Sequence, residues 1–382
     1  MPRTSRKVLV GGIPLGGGSP VVVQTMTNTP TSSAASTLEQ VRGLALAGAE
    51  LVRVAVPDEK SAEALHEIVQ GSTVPIVADI QFDAELAMRA LRAGVAKLRL
   101  NPGNVRRRKQ IEAIAAEAAS RKVPIRVGVN SGSLPGDLLE RFGGPSPECM
   151  WMAAERQIGI LRDSGFEMIV VSLKASSPRL TIDSNRLAAR ECDYPLHLGV
   201  TESGPPLTGS VRSASALSVL LEEGIGDTIR ISLSGDPAIE LTAAWAMLSA
   251  LGIRRRGPVI VSCPTCARAR MDVASLAGEV EALLSGRTGL FSVAIMGCEV
   301  NGPGEAGEAD LALIGSPSGI LLYRSGKVIE RFDCPAEDGV ANAAQRLHLT
   351  EQLRSALISE IEELAAREEV RVVREEHDPG SS

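Results

Sequence analysis

Aromatic side chains are nearly absent: phenylalanine, tryptophan and tyrosine together make up 2% of 382 residues. That scarcity argues against stacking platforms for single-stranded nucleic acid. An excess of positive charge is missing too. Lysine plus arginine number 40 against 46 aspartate plus glutamate, a net charge of −6, so there is no basic footprint for nucleic acid. No long hydrophobic run occurs either. The longest uncharged apolar stretch, Leu241 to Ile253, has 13 residues, where a membrane span needs roughly 18–20. It reads as a buried helix. Arg3, Arg6 and Lys7 precede Val8-Leu9-Val10, but glycines break that run at once, which makes a poor signal peptide. The expected location is the cytoplasm. Six cysteines are too few for a disulfide framework, so any cluster of them points to metal or catalysis.

What is present is a repeated alternation. Eight short β-rich runs lie at Val21–Gln24, Leu51–Val56, Ile76–Ile80, Lys97–Leu100, Ile125–Asn130, Met168–Leu173, Leu196–Val200 and Thr228–Leu233. Ala- and Leu-rich stretches of helical spacing separate them. Strand alternating with helix implies parallel strands and crossover helices, and eight such units match a closed (β/α)8 TIM barrel. An open doubly wound sheet is the alternative, but neither GxGxxG nor GxxxxGK[ST] occurs. Residues 8–18 read as a hairpin plugging the barrel's floor. A helix from Pro237 to Ile253 ends at Arg254-Arg255-Arg256-Gly257, the natural boundary. The expected domains are a barrel over 1–253, a smaller α+β domain over 258–374 and a disordered tail over 375–382.

The smaller domain carries Cys263-Pro264-Thr265-Cys266 and, after a later strand, Met296-Gly297-Cys298. Three thiolates at strand ends suit an iron–sulfur cluster or zinc. A fourth ligand is open between Cys334 and Glu305, the latter in Asn301-Gly302-Pro303-Gly304-Glu305. An oxygen ligand would leave one iron exchangeable. Cys149 and Cys192 read as incidental.

Cations interrupt the barrel strands. Arg53 and Arg99 stand inside apolar runs, and Arg126, Lys174 and Arg230 hold similar places. A charge in a buried strand is costly unless it is paired or faces a ligand. Five together suggest a convergent cationic mouth suited to phosphate oxygens, or salt bridges to Asp79, Glu202 and other barrel carboxylates. Asn101 and Asn130 close their strands. Ser232 and Ser234 are expected to face the same way as Arg230. Asp79 and Glu202, beside Thr201, are placed for proton transfer at the mouth. His197 reads as a core histidine.

The two cysteine motifs, Cys-Pro-Thr-Cys and Met-Gly-Cys-x-Val-Asn-Gly-Pro-Gly-Glu-Ala, resemble the signature of the 4-hydroxy-3-methylbut-2-enyl diphosphate synthase family. The likeness runs through Val-Arg-Val-Ala-Val-Pro, Leu-Arg-Leu-Asn-Pro-Gly-Asn, Arg-Val-Gly-Val-Asn-Ser-Gly-Ser-Leu and Gly-Val-Thr-Glu, covering about residues 5–345. One departure is Ala267, where the family usually has glycine. The resemblance implies a TIM barrel followed by a [4Fe–4S] domain, with Cys263, Cys266, Cys298 and Glu305 as ligands and Cys334 as none. It implies two-electron reductive ring opening and dehydration of 2-C-methyl-D-erythritol 2,4-cyclodiphosphate. Arg53, Asp79, Arg99, Asn101, Arg126, Asn130, Lys174, Thr201, Arg230 and Ser232 are the expected substrate contacts, with Glu202 as proton donor. Flavodoxin or ferredoxin is the expected electron donor; no nicotinamide fingerprint is present.

Two rival readings belong to other classes: a pterin-type barrel transferase with structural zinc, and a non-catalytic iron–sulfur carrier. The latter leaves five strand-borne cations without a purpose. Topology adds an expectation about assembly. A helix over 237–253 descends ~25 Å from the mouth, and the four-residue linker spans at most ~14 Å. Two copies placed head to tail would let each cluster cap the partner's barrel, so a homodimer with shared active sites is expected.

Overall fold

The computed structural model describes residues 3–80, 83–100, 108–284, 286–333 and 351–366. Of the sites expected above, Asn101 and Cys334 lie outside these residues, as does the 375–382 tail. The chain divides into two compact units after Arg254.

In the first unit a hairpin of β1 (Val8–Val10) and β2 (Ile13–Leu15) comes first. Eight parallel strands follow: β3 (Val22–Met26), β4 (Leu51–Ala55), β5 (Ile76–Ile80), β6 (Lys97–Leu100), β7 (Ile125–Asn130), β8 (Ile169–Lys174), β9 (His197–Leu198) and β10 (Thr228–Ile229). They are ordered β8-β7-β6-β5-β4-β3-β10-β9. A parallel bridge from Val171 to Leu196, just before β9, joins the two ends. This is the TIM barrel. Its helical layer is α1 (Ala34–Leu46), α2 (Glu59–Gly71), α3 (Ala84–Ala93), α4 (Arg108–Ser120), α5 (Gly136–Phe142), α6 (Pro147–Asp163), α7 (Pro178–Glu191), α8 (Pro206–Glu222) and α9 (Pro237–Ala250). Asp58, Asp83, Ser146, Ser177 and Asp236 cap their helices by accepting a first-turn N–H, satisfying donors that the helix itself leaves free.

The seventh and eighth strands are shorter than their apolar runs suggest. Past Arg230, whose N–H still donates to the Leu198 carbonyl at 3.0 Å, the backbone finds other partners: Leu233 N–H donates to a Glu240 carboxylate oxygen at 3.0 Å, and Ser234 N–H to the Gly204 carbonyl at 3.0 Å. The ladder therefore stops there. Ser234 is exposed rather than facing inward with Arg230. Likewise α9 ends at Ala250, three residues early, because Gly252 turns left-handed at φ 64 and the Ile253 N–H bonds back to Leu248.

Strand periodicity sorts the barrel residues. Val52, Val54, Ala78, Ile80, Leu98, Leu100, Val127 and Val129 face the helices and build the main core. The intervening residues face the interior. At the floor these are apolar: Val22, Leu51, Val77 and Val170 pack against Val8, Val10 and Leu15 of the hairpin. Above that plug the inward residues turn polar and cationic. Arg254 donates to the Val21 carbonyl at 2.5 Å and pairs with Glu50 at 2.8 Å, so the chain leaves the barrel at its floor.

The second unit is a five-stranded sheet in chain order: β11 (Val259–Ser262), β12 (Ser292–Met296), β13 (Leu311–Ser316), β14 (Gly319–Arg324) and β15 (Lys327–Asp333). The first three are parallel and the rest antiparallel. Helix α10 (Val273–Leu284) links β11 to β12, and α11 (Gly302–Glu308) links β12 to β13. Alternation again gives two faces. Val293 and Ile295 pack with Val280, Leu353 and Leu357 on one side; Ala294 and Met296 meet Ala306 of α11 on the other.

Leu15 is fully buried in the floor plug. Leu15→Ala should destabilise the barrel by about 2–5 kcal/mol, read as a lower midpoint for the barrel transition in urea unfolding. An unshifted midpoint would show that the hairpin contributes nothing to barrel stability.

Candidate active site in the barrel mouth

A cavity of about 130 Å³ opens at the C-terminal ends of the barrel strands, lined by Arg53, Asp79, Arg99, Arg126, Gly128, Asn130, Ser172, Lys174, Thr201, Arg230 and Ser232. Nine of the ten expected substrate contacts are thus gathered; the tenth, Asn101, lies outside the described residues. Glycine makes room at two points. A Cβ on Gly128 would lie 3.3 Å from Arg99 Nε, and one on Gly199 would lie 2.5 Å from Lys174 Nζ.

Two carboxylates partly balance the cations. Asp79 accepts from Arg99 at 3.1 Å and faces Arg53 at 3.7 Å. Glu240, from the first turn of α9, pairs with Arg230 at 3.1 Å and accepts from Thr25 Oγ1 at 2.9 Å. The expected alternative of salt bridging therefore holds for three arginines, with Glu240 rather than Glu202 as the second acid. Among the described residues Arg126 reaches only Ser172 Oγ at 3.0 Å, and the Nε groups of Arg99 and Arg126 are buried donors without a partner. Lys97, fully buried on β6, donates to Gln24 Oε1 at 3.0 Å. Lys174 Nζ lies 3.1 Å from His197 Nε2.

Burial and mutual repulsion set the electrostatics. Desolvation pushes Arg53 down to about 10 despite Asp79. Arg126 is driven well below its usual range by burial and by Arg53 and Arg99. Lys97 and Lys174 fall well below the ordinary ammonium range for the same reasons. Burial alone would raise Asp79, but Arg53, Arg99 and Arg126 outweigh it and hold the carboxyl below its normal value. Such a set, with orphaned guanidinium donors, is built for an anion.

Glu202 stands apart. It is exposed on the loop after β9, does not line the cavity, and adopts a left-handed φ of 53. Backbone strain in a non-glycine residue is found at functional positions more often than elsewhere. The neighbouring Ser203 hydroxyl is bonded to the Ser232 carbonyl and ties this loop to the cavity wall.

In the second unit Cys263 follows β11 and Cys298 follows β12, adjacent parallel strands in register Ser262 to Ile295. Cys263 Sγ accepts the Gly297 N–H at 3.1 Å, the kind of backbone bond that a thiolate ligand takes. Cys263 and Cys298 are half-buried, Cys266 is exposed, and Glu305 is half-buried on α11. Among the described residues no three His, Cys, Asp or Glu side chains converge closely enough to hold a metal ion. The donor chemistry nonetheless fits a thiolate-rich cluster: three thiols and a carboxyl on segments that follow β11 and β12.

Residues 5–245 match the GcpE TIM-barrel domain, and residues 259–347 match the GcpE protein C-terminal domain. The chain belongs to the GcpE family. The 4-hydroxy-3-methylbut-2-en-1-yl diphosphate synthase (flavodoxin) of Nitratidesulfovibrio vulgaris is 49% identical over 327 residues, covering 86% of this chain and 85% of that one. Its namesake from Geobacter sulfurreducens is 44% identical over 366 residues, covering 96% and 99%. Among solved structures, dihydropteroate synthase from Stenotrophomonas maltophilia covers 64% of this chain and 99% of its own at 16% identity and a TM-score of 0.48.

Several residues of this GcpE barrel escape sequence reasoning. Lys97 begins a strand, where lysine is unremarked, yet it shares the inward parity of Arg99. Glu240 reads as an ordinary acid in a helix first turn. Ser172 and Gly128 carry no signal until the cavity exists, whereas His197 was visible but read as core.

A Cβ on Gly199 would also lie 2.6 Å from the Arg230 carbonyl oxygen, so Gly199→Ala should displace both Lys174 Nζ and that backbone and raise KM for the substrate by about tenfold, the scale of one lost hydrogen bond. Steady-state kinetics checks this; an unchanged KM would mean that binding does not depend on that space.

Proposed function

We infer that the chain performs the reaction named in its curated relatives, forming 4-hydroxy-3-methylbut-2-en-1-yl diphosphate from 2-C-methyl-D-erythritol 2,4-cyclodiphosphate. The observation that carries this is the convergence of Arg53, Arg99, Arg126, Lys174 and Arg230 on one cavity, with the Nε donors of Arg99 and Arg126 left open. The four arginines are proposed to hold the diphosphate by charge, with Lys174, Asn101, Asn130, Thr201 and Ser232 adding hydrogen bonds. Asp79 keeps Arg53 and Arg99 apart and charged. Ring opening breaks a C–O bond and leaves its electrons on a phosphate oxygen. Cations fixed in a desolvated site stabilise that charge without having to reorganise. Glu202 is proposed as the proton donor to the departing hydroxyl, which leaves as water.

The electrons need a carrier. Cys263, Cys266, Cys298 and Glu305 would hold a [4Fe–4S] cluster, which would supply one-electron chemistry there. Flavodoxin, named in the curated relatives, is the proposed donor to it, with ferredoxin the alternative. No described helix is long and apolar enough to cross a membrane, and a cytoplasmic location suits these partners. We further read the chain as a barrel over 1–253 and a cluster domain over 258–374, acting as a head-to-tail homodimer. The exit of the chain at the barrel floor through Arg254 supports that reading, because the acceptor cavity opens at the other end.

Anaerobic turnover of the cyclodiphosphate with a strong one-electron reductant tests the assignment. No product from iron-loaded enzyme would overturn it. Arg126→Ala should cost about 10- to 150-fold in kcat/KM; unchanged kinetics with lowered stability would make Arg126 structural. Mixing an inactive Glu202→Gln chain with an inactive Cys298→Ser chain should restore activity through one intact site per mixed dimer. Mixed dimers without activity would rule out shared sites.

A further inference from the structure

The ligand and the cavity can be compared charge by charge, on the functional reading just given. A cyclic diphosphate diester carries one ionised oxygen per phosphorus, two negative charges in all. Ring opening adds two electrons and one proton and releases water, so the fully ionised linear product carries three. The site must therefore accommodate one more negative charge in the product state than in the substrate state.

Arg53, Arg99, Arg126 and Arg230 stay protonated, and Asp79 and Glu240 offset two of them. With both lysines neutral the site stands at plus two, the complement of the cyclic substrate. A third positive charge has to come from a group that titrates. Lys174 and His197 meet the geometric requirements. Lys174 lines the cavity. Its Nζ lies 3.1 Å from His197 Nε2, and among the described residues no carboxylate lies within ion-pair reach of it. His197 is fully buried on the adjacent strand, and its Nδ1 finds no partner. The groups facing the pair are Arg126 on β7, Lys97 on β6, Arg53 on β4, and Arg230 with Glu240 from the end of the barrel. Cations outnumber acids among them, so the pair is kept short of a proton until an anion arrives. Lys97 is excluded from direct contact, since it does not line the cavity and is held by Gln24.

We propose that Lys174 and His197 form a proton-accepting pair that takes up one proton from solvent as the diphosphate ring opens, so that the pocket's charge rises with its ligand's. In the substrate state the neutral imidazole shares its Nε2 proton with the neutral amine. In the product state the added proton enters at Nδ1, the Nε2 proton passes to Nζ, and the pair becomes ammonium plus neutral imidazole. Lys174 touches the ligand; His197 acts through it and is a positioning residue. No oxidant or reductant is involved in this transfer.

The test is calorimetric binding of both diphosphates to the cluster-loaded enzyme without reductant, in buffers of different ionisation enthalpy at about pH 8.5, where the linear diphosphate is fully ionised. The linear product should bind with uptake of about one proton and the cyclic substrate with about none. Product Kd should weaken about tenfold per pH unit over the range in which the free pair is neutral, while substrate Kd stays level. His197→Gln, which keeps an acceptor for the ammonium, and Lys174→Arg, which fixes the charge, should each abolish the extra proton and flatten the product's pH dependence. Equal proton counts for both ligands on the wild-type enzyme would overturn the inference while leaving the function intact. Uptake persisting in Lys174→Arg would place the proton on another group and also overturn it. Failure of either diphosphate to bind would overturn the functional reading and the inference together.

Discussion

Like charges gathered in a desolvated barrel are the constraint on which the site depends. Each arginine or lysine drawn from water into an apolar wall costs several kcal/mol unless something repays it. Asp79 and Glu240 do part of this, holding Arg53, Arg99 and Arg230 in place. Among the described residues Arg126, Lys97 and Lys174 have no carboxylate partner and meet Ser172, Gln24 and His197 at 3.0–3.1 Å. Charge on these groups is unfavourable in the free protein, and an anion in the cavity would relieve it.

The remainder of the barrel keeps those charges dry and close. The hairpin plug packs the floor beneath the cavity with valine and leucine. Glycine at 128 and 199 lets long cationic side chains cross in front of neighbouring strands, where any Cβ would obstruct them. The outward residues of the same strands meet the helices as a continuous aliphatic core. A strand that alternates valine with arginine is therefore not in conflict: its two faces see two different solvents.

The second unit applies the same periodicity to a different end. Its sheet carries bulky aliphatics toward α10, and toward α11 it mixes Ala294 and Ala312 with Met296 and Ile314. Small residues on that side let α11 approach closely; a Cβ on Gly302 would lie 2.5 Å from Ile314. Cys263 and Cys298 follow adjacent parallel strands, an arrangement that places both thiols just past neighbouring strand ends.

Much of this was legible in the chain. Apolar runs punctuated by Gly, Asp and Pro mark the strands, and five match the assigned limits closely because nothing competes for their backbone groups. An arginine inside such a run is conspicuous, which is why Arg53 and Arg99 could be singled out. The end of β10 was not legible, because a helix carboxylate and a loop carbonyl, brought near only by folding, take the N–H groups that a longer ladder would use. The sequence by itself determined the alternation, the inward parity of the cations and the position of the thiols, since those follow from spacing along one strand. Only the tertiary structure decided which acid meets which cation, that Lys97 lies under the cavity, and that Lys174 touches His197. Those contacts join strands 20 to 73 residues apart, and their energies depend on burial that exists only once the barrel closes.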